Sequence, residues 1–436
     1  MQNILIAGAG HGGLAAGLLL ARAGFSVTLA EQKARAALGH DWEDRFTFPL
    51  LADLVGRALP PDVWRYRGDC AFVSPAKRKR VVVRYTDETR QRIMWRKPLL
   101  GMLLTAAEEA GVKILYGVRV TGPLVEKDRV VGLETDAGPL TADLVIDAAG
   151  VFSPVRQGLP AFFGIEARPR RGDLFYAYRA YFDRLPGYET PDAPFEVYLY
   201  HEGEKGLSWF GTNDETCDVL LGRIDPLTDE KLRDLLSRFR REHPWCGEAL
   251  LHGGTRCVIP VRRPLPLMVG NGYAAVGDSA FMTTPMNGMG IDLSLQAGRL
   301  LAETVTENRD RAADASVLWD YNREFHRLYG GAAAKNEGLK NTLLTLSAAD
   351  VDFFFEAAVI EASDLAGAGR TTKLTALLAK FGRGMRQPPA FFTLLGGLMR
   401  GAKVKKLYEN APVGFDRQKI AAWRREIEAL DIRFDA

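Results

Sequence analysis

Residues 4–31 read ILIAGAGHGGLAAGLLLARAGFSVTLAE, and the prediction of the fold starts from them. Residues 4–7 form a short apolar run typical of a strand buried in a parallel sheet. A glycine-rich turn follows, then a helical stretch over residues 14–23, and then a second apolar strand that ends at Glu31. This order of strand, glycines, helix, strand and acid predicts the first unit of a Rossmann-like domain.

The glycines of this turn have separate physical roles. Gly8 permits the sharp turn, Gly10 lets the backbone approach a pyrophosphate, and Gly13 lets the helix pack closely on the strand. The helix N-terminus then faces the phosphates, and Glu31 can accept hydrogen bonds from ribose hydroxyls. His11 is interpreted as a bystander in the loop. The pattern predicts dinucleotide binding.

Two later segments repeat the motif of an apolar strand that ends in small residues. The strand over residues 142–147 leads to Gly150, and the strand over residues 273–276 leads to Asp278. Asp278 is placed to bind a polyol hydroxyl, or else to cap a helix. Residues 285–291 then precede a long helix, whose glycine-rich start can face an acceptor or a developing negative charge.

A nicotinamide dinucleotide alone would not need this second, C-terminal site. A cofactor stretched across the domain would, with its adenine near Glu31 and Val120, its ribityl chain near Asp278 and its isoalloxazine at residues 288–291. The sequence therefore predicts FAD in an extended conformation. Because no His or Cys stands where flavoproteins of this fold attach the cofactor, we expect it to be bound non-covalently.

These motifs together resemble those of FAD-dependent oxidoreductases with the p-hydroxybenzoate hydroxylase fold. The matching residues are Gly8-x-Gly10-x-x-Gly13, Glu31, the segment 150–156, Gly277-Asp278 and Pro285-x-x-Gly288-x-Gly290. Within that group, residues 277–291, 196–198 and 206–210 are similar to motifs of the geranylgeranyl reductases. The chain lacks the Pro that those enzymes carry after Phe210, and it has no Cys near residues 40–50.

The resemblance implies an FAD site but marks no catalytic side chain. Arg96 would contact the FAD, and Val120 would hold the adenine with its backbone. The expected cofactor-binding residues are Gly8, Gly10, Gly13, Glu31, Arg96, Val120, Gly150, Asp278, Pro285, Gly288, Gly290 and Ile291. The proton donor could be a tyrosine of the substrate sheet or a bound water.

The predicted fold class is α/β, with an α+β second domain. A Rossmann-like FAD-binding domain would comprise residues 1–164 and 266–308. An inserted antiparallel-sheet substrate domain would comprise residues 165–265, with a contribution from about residues 45–95. Residues 309–436 would form a helical C-terminal region. No oligomeric state follows from the sequence.

Composition excludes several other classes of protein. The chain has 436 residues, and its 57 Lys and Arg against 54 Asp and Glu give a formal net charge of +3, which does not favour nucleic acid as a partner. Four Cys without a CxxC pair and six His without HxxxH spacing predict neither a disulfide framework nor a metal site. No apolar run is long enough to span a bilayer, and the first residues do not form a signal peptide, so we expect a cytoplasmic protein.

Three functions remain open at this point. The first is flavin-dependent reduction of carbon–carbon double bonds in a polyprenyl or other hydrophobic, lipid-like substrate. The second is hydroxylation of an aromatic substrate by a monooxygenase that uses NAD(P)H and oxygen. The third is a non-catalytic flavoprotein or electron carrier, which the intact flavin motif at residues 288–291 disfavours. NAD(P)H or another external donor would supply the electrons.

Residues 367–408 form a basic, apolar stretch without an acidic residue. Its bases are Arg370, Lys373, Lys380, Arg383, Arg386, Arg400, Lys403, Lys405 and Lys406. They are interleaved with Leu, Met and the pair Phe391-Phe392. Such a stretch can lie on an anionic bilayer as a peripheral contact, or it can form a helical lid with a solvated basic face.

Overall fold

The computed structural model describes residues 1–365 and 374–432, without the side chains of residues 374–377. The strands of the described residues are β1 Asn3–Ala7, β2 Ser26–Glu31, β3 Glu43–Arg45, β4 Trp64–Tyr66, β5 Cys70–Val73, β6 Arg80–Val83, β7 Arg92–Trp95, β8 Lys113–Tyr116, β9 Val120–Glu126, β10 Arg129–Thr135, β11 Leu140–Thr141, β12 Leu144–Asp147, β13 Leu174–Arg184, β14 Phe195–Leu199, β15 Gly206–Thr212, β16 Thr216–Arg223, β17 Cys246–Pro260, β18 Val269–Gly270 and β19 Tyr273–Ala275.

Helices concentrate in the last third of the chain. The α-helices are α1 His11–Arg22, α2 Phe48–Val55, α3 Arg96–Glu109, α4 Pro154–Gly158, α5 Asp229–Glu242, α6 Ile291–Glu307, α7 Ala315–Phe325, α8 Gly331–Thr345, α9 Ala348–Glu356, α10 Ala362–Leu365, α11 Leu374–Gly384, α12 Pro388–Glu409 and α13 Arg417–Glu428. A π-helical turn, His326–Gly330, joins α7 to α8. Within the described residues, no helix is both long and apolar enough to cross a membrane.

A six-stranded sheet forms the centre of the Rossmann-like part. Its strand order is β18-β19-β12-β1-β2-β8, and every neighbouring pair except β18–β19 is parallel. The apolar runs predicted as buried strands form β1, β12 and β19, and nearly all of their residues are buried. Because these three strands run in one direction, the loops that follow them meet at one carboxyl edge.

Two helices start earlier than the sequence predicts. Helix α1 begins at His11 rather than at residue 14, and α3 begins at Arg96, whereas residues 98–110 are the part that the sequence predicts as helical. Gly12 and Gly13 can join α1 because the helix packs against the sheet there, and a Cβ at Gly13 would stand 2.7 Å from the Cβ of Ala148. Close packing thus outweighs the weak helix propensity of glycine.

A seven-stranded sheet lies over the Rossmann-like part. Its order is β17-β13-β16-β15-β14-β5-β6, so that β5 and β6 come from the segment between residues 45 and 95. All of its pairings are antiparallel except β14–β5, which is parallel. The predicted mixed α/β architecture is confirmed, and the single parallel pair is the departure from an all-antiparallel sheet.

Two three-stranded sheets and a group of helices complete the fold. The small sheets have the orders β11-β10-β9 and β3-β7-β4. Helices α8 and α12 pack closely because glycines stand at their contact, and a Cβ at Gly338 would lie 3.0 Å from the Cα of Gly401. The helices are tied to the rest of the chain by Arg263, whose guanidinium forms ion pairs with Glu337 and Asp431.

Candidate functional site

A continuous cavity of 1410 Å³ lies between the two large sheets and the C-terminal helices. One end is lined by residues 10–12 and 285–291, and the other by apolar side chains of α8 and α12. Its volume exceeds the range of about 300–1,000 Å³ typical of small-molecule pockets. The cavity therefore has room for a dinucleotide and a second ligand together.

The glycine loop between β1 and α1 lines the first end of the cavity. Gly8 has a φ of +92°, and a Cβ there would meet the carbonyl oxygen of Ala148 at 2.7 Å. Gly10 is the N-cap of α1, no side chain caps the helix, and its first turn contains no acid. The free amides of this turn favour an anionic ligand.

Glu31 ends β2 beside the same loop and is buried. One of its carboxylate oxygens accepts a hydrogen bond of 2.9 Å from the amide of Ala9, and the other accepts one of 2.9 Å from the amide of Lys33. The acid thus fixes the loop conformation directly. Each oxygen has further lone pairs that can accept from a hydroxyl group.

A second uncapped helix N-terminus, that of α6, also lines the cavity. Gly290 is the N-cap of α6 without a side-chain cap, and Gly288 has a φ of +68°, which glycine adopts without strain. Asp278 lines the cavity after β19, and its carboxylate has no hydrogen bond or ion pair with any described residue. Burial raises its pKa to about 6. It caps no helix.

Arg96 begins α3 and lines the cavity. Its charge acts on His11 at the N-terminus of α1 and on Asp278 near that of α6. Its Nε donates to Asp44, and its guanidinium carbon lies 5.7 Å from the ring centroid of Trp42. Burial first, and then the charge of Arg96, lower the pKa values of His11 and His40 to about 3. Both imidazoles are therefore neutral at physiological pH, whereas Arg96 is charged and paired with Asp44.

Eight of the twelve predicted cofactor-binding residues line the cavity. They are Gly10, Arg96, Gly150, Asp278, Pro285, Gly288, Gly290 and Ile291. Gly8, Gly13 and Glu31 stand behind the glycine loop and shape it. Val120 begins β9 and does not line the cavity.

The segment of residues 150–156 has a structural role at the carboxyl edge. Arg156 is fully buried and donates to the backbone carbonyl oxygens of Val151, Ala167 and Ser279. Its guanidinium therefore joins the loop after β12 to the loop after β19 and does not face the cavity. Gly150 remains at the cavity wall.

Tyr181 of β13 lies in the cavity wall where the two ends meet. Its hydroxyl oxygen accepts hydrogen bonds of 2.6 Å from Arg179 and 3.1 Å from the amide of Glu43. Its own hydroxyl proton has no acceptor among the described residues. Burial raises the pKa of Tyr181 well above its usual value, although the charge of Arg179 opposes this shift. The phenol therefore stays protonated at physiological pH.

The second end of the cavity is a largely apolar chamber. Its walls come from strands of the seven-stranded sheet and from α8, α9, α11 and α12. The apolar side chains are Phe72, Phe195, Val197, Leu199, Leu207, Leu220, Ile224, Leu339, Leu343, Leu344, Val351, Val359, Ile360, Phe381, Phe391, Leu394, Leu395 and Leu398. Such a surface fits a long hydrocarbon chain.

Sequence reasoning missed the part that α8 and α12 play in this chamber. Their contribution depends on the close contact at Gly338, Gly397 and Gly401. The sequence signal for this contact is the presence of glycines inside helical stretches. A glycine there normally lowers helix stability by about 1 kcal/mol, so its presence indicates close packing.

The bases of residues 367–408 differ in their burial and in their ion-pair partners. Arg370 and Lys373 lie outside the described residues. Lys380 is buried and forms an ion pair with Asp364, while Arg383 pairs with Glu361. The remaining bases lie on α12 or just before it, beside several exposed apolar side chains. The acids before the stretch thus neutralise part of its charge.

One family model and several curated proteins match this chain. The family described as FAD dependent oxidoreductase matches residues 96–304. The digeranylgeranylglycerophospholipid reductase of Sulfolobus acidocaldarius is 25% identical over 350 residues, which cover 76% of each chain.

Two solved structures share the fold. A geranylgeranyl bacteriochlorophyll reductase-like protein of Thermoplasma acidophilum has a TM-score of 0.72 at 17% identity, covering 91% of this chain and 100% of that one. PqsL of Pseudomonas aeruginosa, described as a probable FAD-dependent monooxygenase, has a TM-score of 0.57 at 21% identity, covering 78% and 96%.

Proposed function

We propose that this chain, an FAD-dependent oxidoreductase similar to the geranylgeranyl reductases, reduces carbon–carbon double bonds in a lipid-like substrate. The observation that carries the proposal is the cavity, which joins a dinucleotide-sized polar end to a long apolar chamber. The similarity to a digeranylgeranylglycerophospholipid reductase supports a substrate with polyprenyl chains.

The polar end suits non-covalent FAD. Its pyrophosphate would face the uncapped N-terminus of α1, with Arg96 as counter-charge. Asp278, whose carboxylate has no partner among the described residues, would accept a hydrogen bond from the ribityl chain. The isoalloxazine would lie against residues 285–291. The buried Nε2 of His11, which has no partner among the described residues, would donate to or accept from the cofactor.

Reduction of a double bond needs a hydride for one carbon and a proton for the other. Bound FAD, once reduced by an external electron donor, would supply the hydride. Tyr181 would supply the proton, because it lines the cavity and its hydroxyl has no acceptor among the described residues. Arg179 and the amide of Glu43 already donate to that oxygen and would stabilise the phenolate left behind until water reprotonates it.

The reaction is tested by comparing anaerobic and aerobic turnover of the purified protein. After reduction with dithionite without oxygen, addition of a digeranylgeranyl glycerophospholipid should restore the oxidised flavin spectrum. Mass spectrometry should find two added hydrogens per reduced double bond. NADPH consumption that requires oxygen and is stimulated by a phenol, without change in the lipid, would instead identify the monooxygenase. The same assay ranks NAD(P)H against other external electron donors.

Substitution of Tyr181 tests the role of its phenol. Tyr181→Phe should lower turnover by roughly a hundredfold, the usual effect of losing a general acid, without loss of bound FAD. Tyr178→Phe is the matched control, because Tyr178 lies on the same strand outside the cavity wall.

Leu339→Trp should fill the chamber and abolish turnover of the long-chain lipid. Leu250→Trp, at an exposed position on β17, should leave turnover unchanged. Equal turnover in the two tryptophan variants would remove the chamber from the substrate path.

A bilayer would be the source of such a substrate. The α11–α12 surface consists of the exposed apolar side chains Leu378, Phe381, Met385, Phe392, Leu398 and Met399 with the exposed bases Arg386, Arg400, Lys403 and Lys406. Phe381 and Leu398 of this surface also line the chamber. An anionic bilayer complements both its charge and its apolar side chains, and a lipid chain could pass directly from it into the chamber.

A further inference from the structure

The small sheet of β3, β7 and β4 forms part of the cavity wall. Its register places Arg45 and Arg65 opposite Ile93 from either side. Opposed residues of antiparallel strands point to the same face, so these three side chains lie together. All three line the cavity, as do Asp44 and Arg92 of the other face. This arginine-bearing face is therefore part of the ligand site.

Arg67 extends the same face beyond the end of β4. Its backbone amide donates to the carbonyl oxygen of Gln91 at 2.9 Å, and its guanidinium carbon lies 3.4 Å from the ring centroid of Phe195. The half-buried side chain lines the cavity and makes no hydrogen bond or ion pair with a described residue. Burial lowers the pKa of Arg67, which reflects the cost of an uncompensated charge.

The other charges on this face do not compensate Arg67. Glu43 forms two hydrogen bonds, of 2.8 and 2.5 Å, with Arg65 and is thereby neutralised. Arg45 has no carboxylate partner among the described residues, and its one polar contact is 3.5 Å to the sulfur of Met289. Arg45 and Arg67 thus leave two positive charges on the cavity wall, one of them beside the segment proposed to hold the isoalloxazine.

We propose that Arg45 and Arg67 bind a phosphoryl group of the ligand whose hydrocarbon part fills the apolar chamber. Guanidinium groups match the geometry of phosphate oxygens, and two of them suit a group that carries more than one charged oxygen. Stacking on Phe195 holds the guanidinium plane of Arg67 in place. The assignment of the phosphoryl group to the lipid rests on the proposed function, whereas phosphate binding itself does not.

Calorimetric titration of the FAD-loaded protein tests this site without turnover. The probes are decyl phosphate, below its micelle concentration, and decanol, which has the same chain without the charge. The wild type should bind decyl phosphate at least about tenfold more tightly than decanol. Arg45→Gln and Arg67→Gln should each reduce this preference by roughly tenfold, and Arg67→Lys should retain part of it.

The matched control is Arg90→Gln, because Arg90 lines the same cavity but pairs with Asp87 at 3.2 Å. Titration with NADP⁺ separates the two sources of phosphate. If Arg67→Gln weakens only decyl phosphate, the group belongs to a lipid, and if it weakens only NADP⁺, it belongs to a nicotinamide nucleotide. Unchanged binding of both probes in both glutamine variants, or an equal loss in Arg90→Gln, would overturn the proposal.

Discussion

At the scale of single residues, Gly10 and Gly13 stand in the same loop but face different neighbours. A Cβ at Gly10 would lie 3.4 Å from the carbonyl oxygen of Ala148, an ordinary contact, on the side where the loop lines the cavity. A Cβ at Gly13 would lie 2.7 Å from both the Cβ of Ala148 and the carbonyl oxygen of Gly8. One glycine therefore serves the ligand and the other serves the packing of α1.

We expect Gly10→Val to give a folded but colourless protein, because the added side chain blocks the approach of a pyrophosphate. Gly13→Val should instead lower the melting temperature, because the added side chain would clash with Ala148 and Gly8 and force α1 away from the sheet. Flavin absorbance of the purified protein and its thermal unfolding measure the two effects separately. Full flavin occupancy in Gly10→Val would refute the placement of FAD at this loop.

The buried carboxyl group of Asp278 predicts that the stability of the protein depends on pH. Burial disfavours the charged carboxylate and so raises its pKa from 3.8 to about 6. Its contribution to stability is complete below about pH 4 and is lost as the pH rises through 6, where the carboxylate becomes charged. In FAD-free protein, Asp278→Asn should raise the free energy of unfolding at pH 7 by up to about 3 kcal/mol.

Urea unfolding at several pH values measures this difference. The gap between Asp278→Asn and wild type should close as the pH falls towards 4. In FAD-loaded protein the same substitution should weaken cofactor binding by about 1–3 kcal/mol, the cost of losing a buried hydrogen bond. A gap independent of pH, together with unchanged affinity, would show that Asp278 faces neither an apolar surface nor the cofactor.

At the scale of elements, the α11–α12 surface predicts salt-dependent binding to vesicles. Each base near the surface contributes up to about 1 kcal/mol with anionic lipid, and salt screens it over roughly 8 Å at physiological ionic strength. Lys405 contributes less, because it pairs with Glu409 at 3.5 Å. Replacing Arg400, Lys403 and Lys406 with Glu should therefore release the protein from anionic vesicles without changing the flavin spectrum.

The control replaces Arg168, Arg233 and Arg241, which are exposed elsewhere, with Glu. This variant undergoes the same change in net charge and should still sediment with anionic vesicles. If wild type, test variant and control all sediment equally, the α11–α12 surface is a lid over the chamber and not a bilayer contact.

At the scale of the whole molecule, buried ion pairs hold the C-terminal helices against the two sheets. Burial opposes ionisation of Glu337, but the charges of Arg263, Arg262 and Lys340 outweigh it and hold its pKa below the usual value. The carboxylate of Glu337 lies 2.6 Å from Arg263. Lys340 donates to the carbonyl oxygens of Gly172 and Val261. The walls of the chamber depend on this network.

Glu337→Gln should lower the free energy of unfolding at pH 7 by about 3–5 kcal/mol, because it leaves buried positive charge uncompensated. Since the pKa of Glu337 is depressed, its contribution exists above about pH 4.5 and disappears as the pH falls below it. Glu324→Gln, at the exposed pair with Arg327, should change stability by less than about 1 kcal/mol. Denaturant unfolding at pH 7 and pH 4 compares them.

The sequence predicts those parts of the site whose signals are local. The glycine loop and residues 285–291 carry closely spaced glycines next to strands and helices, and the structure places both at one cavity. Tyr181 could not be chosen in this way, because its role depends on the amide of Glu43, 138 residues away in the chain. The role of Arg67 could not be predicted from the sequence either. The sequence does not show that its guanidinium packs against Phe195 and has no carboxylate partner among the described residues.

The parallel pairing of β5 with β14 also shapes the order in which the chain folds. In the seven-stranded sheet, Cys70 of β5 is opposed to Phe195 of β14. In the six-stranded sheet, β1 pairs with β12, which in turn pairs with β19, so this sheet is complete only after both later strands have been synthesised. Such non-local pairings make folding slow and expose unpaired strand edges during synthesis. On the ribosome, β5 and β6 emerge long before β14, so the edge of β5 that pairs with β14 stays exposed until more than 120 further residues have been synthesised, which we expect to make the nascent chain prone to aggregation at that stage.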